Sequence, residues 1–506
     1  MSSRTQNTKR NILASYMLMV LQIIFQFVSR SVIVHSLGEE YLGLSSLYTS
    51  ILQVLNVAES GFSVSIVYFM YKPLAYGDVD QVCALLSFLK KIYRYVGTII
   101  LCLGIIIIPF LKYIIKGAVP EDIDIYILYM LYLLNTSVGY FLFAYKTSLL
   151  TALQRLDLTK ITNCIVMIVQ YTFQIVSLVC FHNYYLFVIS MVLGTALVNV
   201  FNHLISIKKF PEYVCVGELG IDTKREIWKK VKGLLICNIS GVTYTTFDSI
   251  TISAFVGLNS VAIYNNYLTI ENAVASIIIL IRTAMQASVG NSVAVESVEK
   301  NHDDIEFWQF LFSGLAIWCA TCMICLFQPF MKLWMGKSML LPFIDVNLLG
   351  VWFLLTVVQQ AFHLYLGGAG LWNEMKLIYI LSTVFNLIMN VLLGKIWGIT
   401  GIILATVLSS MVFGIFGQCI IIFRCYFHVS SRKYIVRQFI YFIIAALVVC
   451  ATYFVTSVVK VNGIMELIVK ALICLILPTV LLVLLSIKTQ YFNRAKKLIF
   501  TIIKKS

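Results

Sequence analysis

Arg30 places a full positive charge inside an apolar run, NILASYMLMVLQIIFQFVSRSVIVHS from Asn11 to Ser36. Gln22, Gln26 and Arg30 are spaced i, i+4, i+8, so a helix puts them on one face. Asn11, Ser15 and Ser29 fall near the same stripe. An arginine at the centre of a bilayer costs about 2.5–3.5 kcal/mol on insertion scales, so it is retained where it faces a wet cavity or a partner. The stripe therefore predicts recognition of an anionic group, with the amides of Gln22 and Gln26 as hydrogen-bonding partners.

Other ionisable residues lie in apolar runs. Asp248 follows Asn238, Gly241 and Thr245 on a second stripe, where it holds either a coupling proton or sodium ion or a structural hydrogen bond. Glu59 lies beside Ser46, Thr49, Gln53 and Asn56, and Glu271 follows Asn265 and Asn266. Each either lines a cavity or sits solvated near an interface. Arg282 is either a second anion ligand or a snorkelling residue. His363, after Gln359 and Gln360, is a cavity candidate or a satisfied structural histidine. Cys319, Cys322 and Cys325 make two overlapping C-x-x-C spacings, but an apolar helix is a packing context, so no metal is expected. The sequence has no Walker motif, no Gly-rich phosphate loop and no large outer loop for a catalytic site. The expectation is a protein that is not an enzyme and carries no cofactor, driven by an ion gradient, the membrane potential or substrate flow.

The elements that position these residues follow from composition. Of 506 residues, 60% are hydrophobic and 12% charged, and mean hydropathy is +0.91. That excludes a soluble protein and predicts an all-α, polytopic membrane protein. About fourteen segments are long enough to span, from 11–36 to 463–487, with a fused stretch at 374–424 divided near Gly394, Gly398 and Gly401. With the N-terminus cytoplasmic, 30 of the 38 Lys and Arg fall on the cytoplasmic side, which places both termini there. The net charge of +15 thus reports topology rather than nucleic acid. The first apolar run is too long for a signal peptide and lacks a cleavage site, so it is expected to be retained.

The longest basic connection splits the chain into a six-helix lobe at 1–207, a linker at 208–232, a second six-helix lobe at 233–424, and two further helices with a basic tail at 425–506. A shift of 219 residues supports a repeat. It puts Gly38 on Gly257, Leu44 on Ile263, Tyr48 on Tyr267 and Ile51 on Ile270. Two pseudo-symmetric six-helix lobes are the build of an alternating-access transporter.

The stretch SRSVIVHSLGEEYLGLSSLYTSILQVLNVAESGFSVSIVYFMYKPLAYGD, Ser29 to Asp78, closely resembles the polysaccharide transport family. This family holds the flippases for O-antigen and capsule repeat units, within the multidrug/oligosaccharidyl-lipid/polysaccharide exporter superfamily. TTFDSITISAFVGLNSVAIYNNYLTI (Thr245 to Ile270), ASVGNSVAVES (Ala287 to Ser297) and GITGIILATVLSS extend the resemblance over nearly the whole chain. It implies a bacterial inner-membrane protein that moves an undecaprenyl-diphosphate-linked oligosaccharide to the outer leaflet. It implies that Arg30 meets the diphosphate, that Arg282 is compatible with a second arginine, and that Asp248 matches the aspartate of a T-x-D-x-x-x-I-S pattern. Substrate contacts are expected at Arg30, Gln22, Gln26, Arg282, Asn265 and Asn266, and ion coupling at Asp248, Glu59 and Glu271. A polysaccharide polymerase and assembly proteins are the expected partners, and a monomer suffices. Two transporters of the same superfamily compete: a drug or organic-cation antiporter, whose cavity would be acidic and aromatic, and a lipid II flippase.

Overall fold

The computed structural model describes residues 4–459 and 461–505, with side chains described except at 4–9, 58, 60, 233, 234, 236, 237, 243–245, 287 and 498–505. All regular structure among these residues is helical. In a bilayer the backbone must satisfy its own hydrogen bonds, and helices of this composition do so.

The chain divides into two compact units, Met1–Asn265 and Asn266–Ser506. The first contains α1 (Arg4–Ser36), α2 (Glu39–Tyr76), α3 (Val79–Ile107), α4 (Ile125–Phe141), α5 (Tyr145–Ala152), α6 (Leu156–Val179), α7 (Tyr184–Lys209) and α8 (Ile221–Phe255). Helix α9 (Leu258–Val295) runs across the division. The second unit continues with α10 (Val298–Trp334), α11 (Phe343–Ala369), α12 (Lys376–Ser409), α13 (Arg432–Ser457), α14 (Ile464–Ser486) and α15 (Gln490–Lys505).

Among the described residues ten helices are long and apolar enough to cross a membrane, and two bent pairs bring the number to twelve. The run Lys376–Phe427 is 52 residues, which at 1.5 Å per residue is about 78 Å, over twice a hydrocarbon core of about 30 Å. Gly398, at φ 58° and ψ −131°, breaks it into two spans. Helix α8 carries the expected segment 231–256 beyond its charged first turns. The described residues thus supply ten to twelve candidate spans against the fourteen expected, and the chain is a multi-pass membrane protein.

In the first unit α1, α6, α7, α4, α3 and α2 pack in succession, and α2 returns to α1. This is a closed six-helix ring. Helix α8 lies along α2. Close approach there depends on glycine: a Cβ on Gly43 would lie 2.9 Å from the carbonyl carbon of Leu258, and one on Gly61 would lie 3.3 Å from Leu235 Cγ. Two helices of the ring are bent. Helix α2 turns by 43° between Val57 and Gly61, and the α4–α5 pair by 51° at Phe143, whose φ of 57° is left-handed. Asp78, Asp124 and Asn183 cap α3, α4 and α7 by accepting from backbone N–H groups of the first turn. In the second unit α10 is central, touching α11, α13 and α14. Ser297 caps it by accepting from Lys300 N at 3.3 Å.

The basic connection is ordered. Lys146, only 4% exposed, donates to the Tyr213 carbonyl at 2.8 Å, and Cys83 donates to the Glu212 carbonyl at 3.6 Å. Lys91 pairs with Glu218 at 3.2 Å and holds that exposed carboxyl below the usual range. From Ile221 the connection is already helix α8.

The 219-residue repeat is visible in side-chain geometry. Gly38 and Gly257 join the first two helices of each repeat at φ of +122° and +137°, a region that favours glycine. Tyr48 and Tyr267 are both fully buried. Tyr48 donates to the Ile125 carbonyl at 2.9 Å at the start of α4, while the Tyr267 hydroxyl accepts from Leu341 N at 3.2 Å just before α11. Each tyrosine ties the second helix of its repeat to the entry of a later one.

Candidate functional site

Arg30 sits in the second-last turn of α1, half-buried, and its Nη2 donates to Ser46 Oγ on α2 at 3.3 Å. The same repeat shift maps Arg30 onto Ser249 and Ser46 onto Asn265, and Asn265 Nδ2 donates to Ser249 Oγ at 3.0 Å. The α1–α2 hairpin and the α8–α9 hairpin are therefore pinned by the same pair of positions. Only the first has a full charge there. Beside Ser46, Ser45 accepts from Tyr132 at 2.9 Å, and the Tyr132 and Tyr184 hydroxyls lie 2.9 Å apart. Ser46, Tyr132 and Tyr184 in this wall of hydroxyls are buried, and Ser45 is half-buried. Gln26 and Gln22, one and two turns below Arg30, are exposed. Asn11, at the base of the stripe, is bound into structure: it donates to the Gln154 carbonyl at 3.0 Å and accepts from Asp157 N at 2.7 Å.

Asp248 is fully buried, and its Oδ2 accepts from the Tyr264 hydroxyl at 2.8 Å. With the Asn265–Ser249 bond one residue on, this ties α8 to α9. Asn265 also donates to the Val261 carbonyl at 3.0 Å. Gly241 on the same stripe is exposed, and the side chain of Thr245 lies outside those described.

Glu59 stands at the bend of α2. Tyr93 of α3 donates to its Oε1 at 2.6 Å, and one turn earlier Tyr140 of α4 donates to Asn56 Oδ1 at 3.0 Å. The two tyrosine rings meet edge to face at 5.7 Å. Glu59 thus faces its own helical ring.

In the second unit Asn266 and Glu271 are buried on α9. Neither carboxyl oxygen of Glu271 has a hydrogen-bond partner among the described residues. Arg282 is half-buried; Nη1 donates to Gln286 Oε1 at 3.4 Å and Nη2 to Thr283 Oγ1 at 3.5 Å. Gln286 in turn donates to the Leu364 carbonyl at 2.9 Å, next to His363 on α11. Gln359 is bound to Ser410 at 2.9 Å. Cys319 and Cys325 are buried and Cys322 half-buried, with free thiols. Among the described residues no group of three His, Cys, Asp or Glu is placed to hold a metal. Three cavities of about 340, 400 and 240 Å³ hold none of the candidate residues.

Tyr93, Tyr140, Tyr132, Tyr184 and Tyr264 were not anticipated as partners of these polar groups. Tyrosine inside an apolar run is the signal that could have found them, since a buried hydroxyl requires a partner.

A family profile described as polysaccharide biosynthesis protein matches residues 8–286. The fold is similar to that of the lipid II flippase MurJ in an inward closed conformation, at 14% identity and TM-score 0.67, covering 94% of this chain and 98% of that one. It is also similar to an inward-facing multidrug resistance transporter of the MATE family of the MOP superfamily. That match has 15% identity and TM-score 0.64, over 82% of this chain and 98% of that one. A mutant of the Vibrio cholerae MATE transporter VcmN matches at 13% identity and TM-score 0.55, over 87% and 100%. These structures show a shared fold. No curated protein sequence matches the chain.

Proposed function

This chain belongs to the polysaccharide biosynthesis protein family, and we propose that it is a flippase for an undecaprenyl-diphosphate-linked oligosaccharide. It works by alternating access in a bacterial inner membrane, with both termini cytoplasmic and with coupling to an ion gradient. The observation that carries this reading is Arg30, a guanidinium inside the first span, above the exposed amides of Gln22 and Gln26. A diphosphate brings about two negative charges to a low-dielectric layer, at a Born cost on the order of tens of kcal/mol if unpaired. Guanidinium stays charged and binds phosphate through two parallel hydrogen bonds. Exposed glutamines suit sugar hydroxyls. An organic cation gains nothing from Arg30, which disfavours the drug-antiporter reading.

Arg282 is assigned as a second anion ligand, with Asn265 and Asn266 as further polar contacts to the substrate. Among the three candidate coupling carboxylates the roles divide by geometry. Asp248 and Glu59 each accept a tyrosine hydroxyl, whereas Glu271 is buried with both oxygens unsatisfied among the described residues. A buried polar group without a partner is costly unless function retains it. Glu271 is therefore the first choice for ion coupling. If its role were only to fill space, Glu271→Met would stabilise the protein and leave transport intact. Loss of transport in a stable Glu271→Met protein supports coupling.

Depletion of the protein from its host tests the reading. Lipid-linked oligosaccharide is then measured by mass spectrometry, with labelling of the outer leaflet. Accumulation of the intact repeat unit on the cytoplasmic side, cleared by re-expression, supports the flippase and identifies the sugar. Accumulation of lipid II instead assigns the chain to cell-wall precursor transport. Unchanged lipid-linked pools with retained organic cations refute the proposal.

A further inference from the structure

Where the basic connection packs on the first unit, that unit gathers cations that the transport site does not use. Lys90 and Arg94 lie one turn apart on α3, Lys146 is in the first turn of α5, and His203 is in the last two turns of α7. Tyr145 links the first three. Lys90 Nζ lies 5.9 Å from the centre of its ring, Arg94 is within electrostatic reach of its hydroxyl, and Lys146 is the next residue. Two contacts place His203 beside them. Asn202 donates to Thr147 Oγ1 at 3.4 Å, and the Phe143 ring lies flat against the imidazole, with 3.8 Å between centres and 6° between planes. Phe143 is the left-handed residue at the bend between α4 and α5, so the bend that starts α5 also seats His203. The charges of Lys90 and Lys146 both reach the imidazole.

No carboxylate answers these charges. Among the described residues Lys90, Arg94 and Lys146 make no ion pair, and Glu59 is held by Tyr93 instead. Lys91, beside Lys90 on α3, shows the ordinary case: it is exposed and paired with Glu218. Lys146 differs. It is buried, and its ammonium uses one of three donors, on the Tyr213 carbonyl. His203 Nδ1 is also buried, with no hydrogen-bond partner among the described residues. A buried ammonium beside a second cation is desolvated and repelled at once, and a buried ring nitrogen without a partner is costly. One bound oxyanion removes both costs. Lys90 is half-buried and Arg94 exposed, so the cluster is accessible from the α3 side.

We propose that Lys90, Arg94, Lys146 and His203 form a binding site for a phosphate group. Ammonium and guanidinium groups give its oxygens charge-assisted hydrogen bonds, and a protonated His203 Nδ1 gives one more. Lys146 bonds the ligand and the Tyr213 carbonyl together, which couples occupancy to the connection. The phosphate arrives on a phospholipid headgroup or on a soluble polyphosphate, and the recognising chemistry is the same for both. Arg30 belongs to another level of the unit: it stands about 28 Å along α1 from Asn11, which bonds Gln154 just after α5. The proposal rests on the first unit alone and holds whatever the chain transports.

Thermal unfolding of the full chain in a phosphate-free maltoside detergent, at constant ionic strength, tests it. Two probes separate the sources: inorganic pyrophosphate, and phosphatidylglycerol compared with phosphatidylcholine at equal mole fraction. At least one should raise the midpoint saturably. A rise with pyrophosphate assigns a soluble ligand, and a rise with phosphatidylglycerol alone assigns a lipid headgroup. Lys90→Gln combined with Arg94→Gln should raise the half-saturating concentration at least about tenfold, because each removes a charge-assisted hydrogen bond. Lys433→Gln, at an exposed lysine of the second unit, should leave it unchanged. Lys146→Gln should abolish the effect; if that protein does not fold, the combined α3 substitutions decide. Absence of stabilisation by both probes overturns the proposal. So does stabilisation that the α3 substitutions leave intact, or that Lys433→Gln weakens as much as they do.

Discussion

Gly43→Ala is expected to loosen the joint that α2 makes with the turn from α8 to α9. A Cβ at position 43 would stand 2.9 Å from the carbonyl carbon of Leu258, 3.1 Å from its Cβ, and closer still to its carbonyl oxygen. Ordinary carbon contacts begin near about 3.5 Å, so the two backbones must part by roughly half an ångström or more. Overpacking of this kind costs about 1–3 kcal/mol. Alanine in a helix recovers about 0.5–1 kcal/mol relative to glycine, leaving a net loss of up to about 2.5 kcal/mol. Gly314→Ala on α10 is the control, because nothing lies within 4 Å of its added Cβ, and it should gain the helix term alone. Thermal unfolding of the purified protein in detergent, followed by tryptophan fluorescence, reads both. In a chain of this length, where about 1 kcal/mol shifts the midpoint by about 1 °C, the midpoint should fall by up to about 2.5 °C for Gly43→Ala and rise slightly for Gly314→Ala. The main clash is with backbone, so Leu258→Ala should not rescue Gly43→Ala. A Gly43→Ala protein that gains as much stability as Gly314→Ala would refute the packing argument. Rescue by Leu258→Ala would show that a side chain sets the contact.

Three further outcomes follow from the geometry. A double-mutant cycle of Asp248→Asn and Tyr264→Phe should give a coupling of about 1.5–3 kcal/mol in unfolding, the range for a hydrogen bond to a charged group; strict additivity would contradict the 2.8 Å bond. Gly38→Ala and Gly257→Ala should each cost about 1–3 kcal/mol in the same melt, because both hold positive φ. Similar losses at the two sites would confirm that the turns are equivalent, and a neutral result at either would contradict it. Lys146→Met should free the connection at Tyr213, seen as faster proteolysis within 210–220, because the 2.8 Å bond to that carbonyl is lost; unchanged cleavage would contradict the tether.

Much of this architecture was legible in the sequence because a bilayer imposes simple rules. Apolar runs of sufficient length marked the spans, and Gly398 marked the break in the long run at 374–424. The 219-residue shift anticipated the paired turns at Gly38 and Gly257 and the paired tyrosines Tyr48 and Tyr267. It did not show that Arg30–Ser46 and Ser249–Asn265 are the same contact, since the residue types differ while the positions correspond. The partners of Glu59 and Asp248 were hidden for a related reason. Tyr93 is 34 positions from Glu59, and helix periodicity says which residues share a face but not which face meets which. The bend at Phe143 has no glycine or proline to announce it. The order of the basic connection was likewise illegible, because carbonyls of Glu212 and Tyr213 hold it rather than a recognisable side-chain pattern. The acidic segment at 296–306 leads into α10, where Glu306 pairs with Arg437 and Asp304 with Arg494, partners too distant in sequence for spacing to reveal.

The central claim is that Arg30 carries the diphosphate of a lipid-linked sugar across the membrane. The direct test is translocation of undecaprenyl-diphosphate-linked oligosaccharide by the purified protein in proteoliposomes, comparing the parent with Arg30→Lys and Arg30→Ala at equal incorporation. Loss of a charge-assisted hydrogen bond to phosphate predicts a rate about 10–100-fold lower for Arg30→Ala, with partial recovery for Arg30→Lys. Translocation by Arg30→Ala at the parental rate would contradict the account.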